Sequence, residues 1–218
     1  MKKNNYWYEI SRAFIMGLRC CFQLPWHIFK LSRLNQPIVS VFGGKGAYEE
    51  GKYVQWAKQL SKDITQLGIS VITGGGPGIM QAANCGAFEG AKDKKGSTLG
   101  IGVSGVDQDY KNLCSPVIYS DNFYFRKWLL THYSSAFILL PGGIGTVDEF
   151  FEVLNLTKLH RLEKVPVILL GKSYWQDVID WYKKAYEYDF IEQPLHDMFY
   201  ITDDLDEALH IIKSNLVA

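Results

Sequence analysis

From residue 37 onward, short apolar runs rich in Val, Ile and Leu alternate with longer stretches in which apolar residues return every three or four positions. The runs at 38–42, 69–73, 98–103, 117–119, 136–140 and 165–170, with a weaker one at 199–202, read as strands. The central runs show no polar alternation, as expected for strands covered on both faces of a parallel sheet. Segments of helical period at 48–67, 78–91, 122–133, 146–162, 174–188 and 205–215 fill the intervals. The pattern predicts an α/β domain, a doubly wound parallel sheet with helices on both faces, over residues 37–218. The charged tract at 92–95 reads as a solvated loop.

Residues 1–36 follow a different pattern. Trp7, Phe14, Ile15, Leu18, Phe22, Leu24, Trp26, Ile28 and Phe29 crowd together among basic residues, and Pro25 interrupts the run. The expectation is an N-terminal helical extension, one or two short helices bent at Pro25, burying its aromatic side chains on the main domain or on a dimer partner. Contact with a membrane surface is the alternative. Glu9, Arg12 and Arg19 break up the apolar stretch, which falls short of the ~18 residues of a spanning helix. No small-residue cleavage site follows, so a cytoplasmic location is expected.

Composition narrows the functions. The 218 residues suit one domain with a core of its own. Lys+Arg and Asp+Glu balance at 23 each, which disfavours charge-driven binding to nucleic acid and points to small ligands. The four cysteines, Cys20, Cys21, Cys85 and Cys114, form no CxxC and read as free thiols. The five histidines stand far apart without zinc-site spacing, so no metal is expected.

Three glycine-rich turns each follow a predicted strand: Gly43-Gly44-Lys45-Gly46, Gly74-Gly75-Gly76-Pro77-Gly78 and Pro141-Gly142-Gly143-Ile144-Gly145-Thr146. At the carboxyl ends of parallel strands such turns can cradle a phosphate, with the first amides of the next helix aimed at it. They can equally do no more than turn the chain. None matches GxGxxG, and Gly171-Lys172-Ser173 fails as a Walker A loop because Pro166 stands where its first glycine should be. If the helix after the third turn begins at Thr146, Glu149 lies in its first turn, either as a capping carboxylate or as a group reaching toward a sugar beyond the phosphate. Arg126-Lys127, on the preceding helix, could neutralise that phosphate.

The stretch Pro141 to Glu149, with Phe125-Arg126-Lys127 before it, Phe150-Phe151-Glu152 after it and Gly74 to Met80 earlier, resembles the LONELY GUY (LOG) family, often labelled lysine decarboxylase-like. The resemblance covers about residues 37–181. It implies a Rossmann-like fold, a homodimer, no cofactor, and hydrolysis of the N-glycosidic bond of nucleoside 5'-monophosphates, cytokinin nucleotides or AMP among them, to free base and ribose 5-phosphate. It further implies Arg126 and Glu149 as the catalytic pair, Gly142, Gly143, Gly145 and Thr146 as the phosphate loop, and Gly75, Gly76, Met80 and Lys127 as substrate contacts. Two departures are Gln81, where relatives often carry Glu, and Gly43 to Gly46, where many carry a serine-containing loop. The bond in question leaves positive charge on the ribose, so a carboxylate near the sugar is the main requirement, and Glu149 is the candidate. No residue is assigned as leaving-group acid. A non-catalytic nucleotide or molybdenum-cofactor carrier on the same fold is the alternative reading. A single-stranded DNA binder is disfavoured by the balanced charge, and no lysine is nominated for a pyridoxal phosphate decarboxylase.

Overall fold

The computed structural model describes residues 6–46, 51–91, 97–106 and 114–217. The start of the expected helix at residue 48 and the charged tract at 92–95 lie outside the described residues. The elements run α1 (Tyr6–Leu31), β1 (Ile38–Phe42), α2 (Lys52–Gln66), β2 (Ser70–Thr73), α3 (Ile79–Gly90), β3 (Thr98–Val103), β4 (Val117–Ser120), α4 (Phe123–His132), β5 (Ala136–Leu139), α5 (Ile144–Lys158), β6 (Val167–Leu170), α6 (Lys172–Glu187), α7 (Leu195–Met198), β7 (Tyr200–Thr202) and α8 (Leu205–Leu216).

The strands form one parallel sheet in the order β4-β3-β2-β1-β5-β6-β7, a Rossmann-like doubly wound arrangement. Strand alternation splits the core in two. Phe42, Phe137, Leu139 and Leu169 face α4, α5 and α6 through Leu129, Phe150, Val153 and Trp175. Val39, Val41, Ile138 and Leu170 face α2, α3 and α8 through Leu60, Ile64, Ala83 and Ile212. Helices α2 and α3 pack backbone to backbone, because a Cβ on Gly86 or Gly90 would overlap the carbonyls of Lys58 and Lys62.

Local chemistry sets the element ends. Asn122 caps α4 by accepting from the amides of Tyr124 and Phe125, and Asp204 caps α8 by accepting from those of Asp206 and Glu207. Gly171, at φ 101°, turns β6 into α6. Helix α5 stops at Lys158 instead of residue 162 because His160 swings into the left-handed region at φ 53°.

The N-terminal expectation needs two corrections. The segment is a single helix, α1, that runs through Pro25. Proline deprives the Cys21 carbonyl of its helical donor, but both residues are exposed, so water can satisfy that carbonyl. Nor are the aromatics buried on the chain's own main domain: Trp7 is 76% exposed, Phe14 68% and Phe22 79%. Only the second half of α1 docks, where Cys20, His27 and Leu31 are buried and Leu24 and Ile28 pack on the core. The thiol expectation is also corrected. Cys85 on α3 and Cys114 just before β4 form a disulfide with Cα atoms 4.8 Å apart, leaving Cys20 and Cys21 as thiols. Their pairing depends on α3 lying against the β3–β4 edge, which sequence spacing does not encode.

Replacing Gly86 by Ala forces α2 and α3 apart and should cost ~1–3 kcal/mol, read as a lowered thermal midpoint. Gly17→Ala is the control: its Cβ meets nothing within 4 Å, so the midpoint should stay or rise.

Candidate active site

Because β1 is central and the chain leaves β1 and β5 toward opposite faces, the sheet has its switch point between them. The glycine turns converge there. The Gly44 amide donates to the Pro141 carbonyl at 3.0 Å, and the Ile79 amide donates to the Gly44 carbonyl at 3.3 Å. A Cβ on Gly44 would lie 3.1 Å from the Gly142 Cα, one on Gly78 2.7 Å from the Gly44 oxygen, and one on Gly142 2.8 Å from the Gly44 nitrogen. These three glycines hold the junction together. Gly143 and Gly145 differ: a Cβ on either meets nothing within 4 Å, so both border open space.

That space is a cleft of about 340 Å³, with Met80, Arg126, Gly143, Gly145, Thr146 and Glu149 in its wall. Helix α5 begins at Ile144, with Gly143 as its N-cap. Thr146 and Val147 donate their amides to the Gly143 carbonyl, whereas the first amides of a helix have no intrahelical acceptor and suit an anion. Since the helix starts two residues before Thr146, Glu149 falls in its second turn and no acidic residue stands in the first. The capping reading of Glu149 is thereby corrected.

Glu149 is 4% exposed. Its Oε1 lies 3.4 Å from Arg126 Nη1, and its Oε2 is buried without a hydrogen-bond partner. Burial pushes its pKa up to about 7, against the opposing pull of the Arg126 and Lys127 charges. Arg126 is held at its root, where Nε donates to the Ile101 carbonyl at 3.0 Å, and its guanidinium passes over Gly74, where a Cβ would overlap it. The glycine at 74 thus clears the path of the arginine.

Other expected site residues stand elsewhere. Lys127 is buried outside the cleft wall, its ammonium 2.9 Å from Asp148 and paired with Glu152, so it braces α4 against α5. Those carboxylates raise its pKa although burial pulls the other way. Asp148 is therefore turned from the cleft as well. Gly75, at φ 73°, packs against Gly100 and Val117, its amide donating to Thr73 Oγ1 at 3.0 Å. Gly76 lies under Met80, and Gly142 sits in the junction. Sequence reasoning missed Tyr174 of α6, whose hydroxyl donates to the Gly142 carbonyl and pins the third turn. A tyrosine four residues past a strand carries no signal of such a contact. A larger cavity, about 1180 Å³, lies between α1 and the β3–β4 edge, lined by Trp26, His27, Phe88 and Val117 and reached by none of the glycine turns. Among the described residues, no group of three or more His, Cys, Asp or Glu could hold a metal ion.

An open parallel α/β sheet with an anion-suited helix start and a buried carboxylate at its switch point defines a protein built to hold a small ligand there. The chain belongs to the family described as possible lysine decarboxylase, whose model matches residues 80–212 and which includes the LOG proteins. It is 27% identical over 181 residues to a cytokinin riboside 5'-monophosphate phosphoribohydrolase of Rhodococcoides fascians, covering 81% of this chain and 89% of that one. It is 29% identical to a probable enzyme of the same name from Oryza sativa subsp. japonica, over 72% of this chain and 63% of the other. Among solved structures it resembles the molybdenum cofactor binding protein of Rippkaea orientalis, with TM-score 0.59 and 26% identity over 82% of this chain and 96% of that one.

The family description invites a test against pyridoxal phosphate, the usual cofactor of amino-acid decarboxylation. A Schiff-base lysine must present a neutral amine. Lys127 is clamped by two carboxylates that favour its charge, and Lys45 is exposed at the cleft. The residues do not fit that cofactor.

Glu149 also makes a stability prediction. Its raised pKa means that folding favours the protonated form, so its contribution is full below about pH 4.5 and is lost as pH rises through about 7. The thermal midpoint of Glu149→Gln relative to wild type should therefore be higher at pH 8 than at pH 4.5, as differential scanning calorimetry would show.

Proposed function

We propose that the protein hydrolyses the N-glycosidic bond of a nucleoside 5'-monophosphate, releasing free base and ribose 5-phosphate. The observation that carries this reading is the pairing, in one cleft, of an anion-suited helix start with a buried carboxylate that has one oxygen uncommitted. A phosphate at the amides of α5 places the attached ribose further into the cleft, toward Glu149. The carboxylate then opposes the positive charge that develops on the sugar, with its free oxygen available to a ribose hydroxyl or to the attacking water. Arg126 fixes the carboxylate through Oε1 and neutralises part of the bound anion's charge. The curated relatives are named for this chemistry on cytokinin riboside 5'-monophosphates, and the LOG resemblance brings with it a homodimer.

The alternative is a non-catalytic carrier, favoured by the likeness to the molybdenum cofactor binding protein. Against it stands the strained chemistry of Glu149: a carrier has no use for a desolvated carboxylate beside its ligand.

Incubation with a panel of nucleoside monophosphates, with free base and ribose 5-phosphate both measured, tests the proposal. Monophosphates should turn over much faster than the matching nucleosides, and equal rates would remove the phosphate from the reading. Glu149→Gln should retain nucleotide binding and lose about a hundredfold or more in kcat, the scale of one electrostatic stabiliser.

The ionised carboxylate is the active form, so kcat/KM should fall tenfold per pH unit below about 7 and level off above it. That acid limb should vanish in Glu149→Gln. A limb that persists in the variant belongs to the substrate phosphate instead.

A further inference from the structure

Residues 6–19 of α1 are exposed on every side, while the second half of the helix is seated on the domain. Along the helix, the side opposite the buried Cys20, His27 and Leu31 carries Leu18, Phe22 and Phe29, flanked by Trp7, Phe14, Ile15 and Trp26, all exposed. This is an apolar face, interrupted by Ser11, along a helix some 39 Å long for its 26 residues, far beyond the scattered apolar residues of ordinary surfaces.

One edge of that face is basic. Arg12, Arg19 and Lys30 are spaced by 7 and 11 residues, close to two and three whole turns, so they stand in a row. Arg12 lies 5.7 Å from the Tyr8 ring, Lys30 4.5 Å from the Trp26 ring, and Arg33, just past the helix, 4.4 Å from the Phe29 ring, which sets their charges at the apolar boundary. Arg19 also approaches Asp121 at 3.7 Å and remains 68% exposed. Glu9 is the one acidic residue of the helix.

We propose that α1 binds this protein to an anionic lipid surface, lying in the plane of the interface with Trp7, Phe14, Phe22 and Trp26 among the acyl chains and Arg12, Arg19 and Lys30 against the headgroups. The geometry suits the lipid boundary: an apolar face rich in Trp and Phe, bordered by cations, on a helix too charged to cross. No helix among the described residues is long and apolar enough to span a membrane. A second copy meets the same face less well. An isologous contact of α1 with α1 needs carboxylates opposite the basic row, and the helix offers only Glu9. The net charge of the chain is zero, so the cations of α1 are a local concentration and not part of a general basic surface.

The test is sedimentation of the full chain with vesicles of phosphatidylcholine alone or with about 30 mol% phosphatidylglycerol. The protein should pellet with the anionic vesicles and far less with the neutral ones, with a blue shift of tryptophan emission. The variant R12Q/R19Q/K30Q should partition about a hundredfold more weakly, the product of roughly fivefold per cation. F14D/F22D, both on exposed side chains, should lose vesicle binding while its thermal midpoint and nucleotide turnover stay at the wild-type values. Failure of the wild-type chain to sediment with anionic vesicles overturns the proposal, and so does vesicle binding that survives F14D/F22D. A wild-type dimer that F14D/F22D converts to monomer, without vesicle binding in either, also overturns it and assigns the face to a second copy.

Discussion

Between β1 and β5 the chain departs in opposite directions, and two backbones must meet over the gap with no side chain between them. The Gly44 amide bonds to the Pro141 carbonyl, the Gly142 Cα lies against Gly44, and Gly78 closes from the third side. Any Cβ at these three positions would push the turns apart. Once they are closed, the start of α5 is fixed above the sheet, Tyr174 ties the Gly142 carbonyl to α6, and Glu149 is carried into the interior one turn later. The placement of the carboxylate is thus a consequence of main-chain contact. Three of the turn glycines, Gly44, Gly78 and Gly142, are spent on that contact, while Gly143 and Gly145 keep the space beside it open.

What this arrangement does to Glu149 runs against stability. A carboxylate nine-tenths out of water with one unpaired oxygen is disfavoured, and a single arginine at 3.4 Å does not restore its ordinary pKa. Arg126 cannot close further freely, because its Nε is committed to the Ile101 carbonyl and its guanidinium is confined over Gly74. The contrast with Lys127 is instructive. One residue along the same helix, it is paired with two carboxylates, Asp148 and Glu152. Two adjacent cations therefore serve opposite ends, one locking helices together and one leaving a carboxylate unsettled where a ligand would sit.

The strands were legible because burial on both faces writes unbroken apolar runs such as Ala136 to Leu140, and the helix starts because Asn122 and Asp204 cap as their types suggest. The convergence of the glycine turns followed from parallel topology. Less was legible where a result depends on which elements meet. The direction of Lys127 rests on the roll of α4 against α5, and a basic residue beside an arginine gives no sign of it. The turn holding Glu149 depended on α5 starting at Ile144, a β-branched residue between glycines that propensity alone would leave outside a helix. In α1, Pro25 signalled a break, but a proline on the solvent side leaves its orphaned carbonyl to water, and the helix continues.

Helix α1 and the cleft share one structural element. The Gln23 side chain accepts from the Asp121 amide at 3.2 Å, Arg19 approaches the Asp121 carboxylate, and the next residue, Asn122, caps the helix that carries Arg126. The docked half of α1 is therefore tied to the root of α4, and its free half projects from there. Whatever holds the exposed face of α1 fixes the orientation of the whole domain through that joint, because the anchor engages a rigid helix start and not a loop. Lys30 stands on the same docked half and Arg33 just past it, so a surface that attracts them draws the β3–β4 edge toward itself. The cleft opens at the carboxyl ends of the strands, beside Gly43 and Gly145, and no residue of α1 stands in its wall. A change in α1 then leaves the wall of the cleft untouched, as expected where a helix is joined to an α/β domain without lining its cleft.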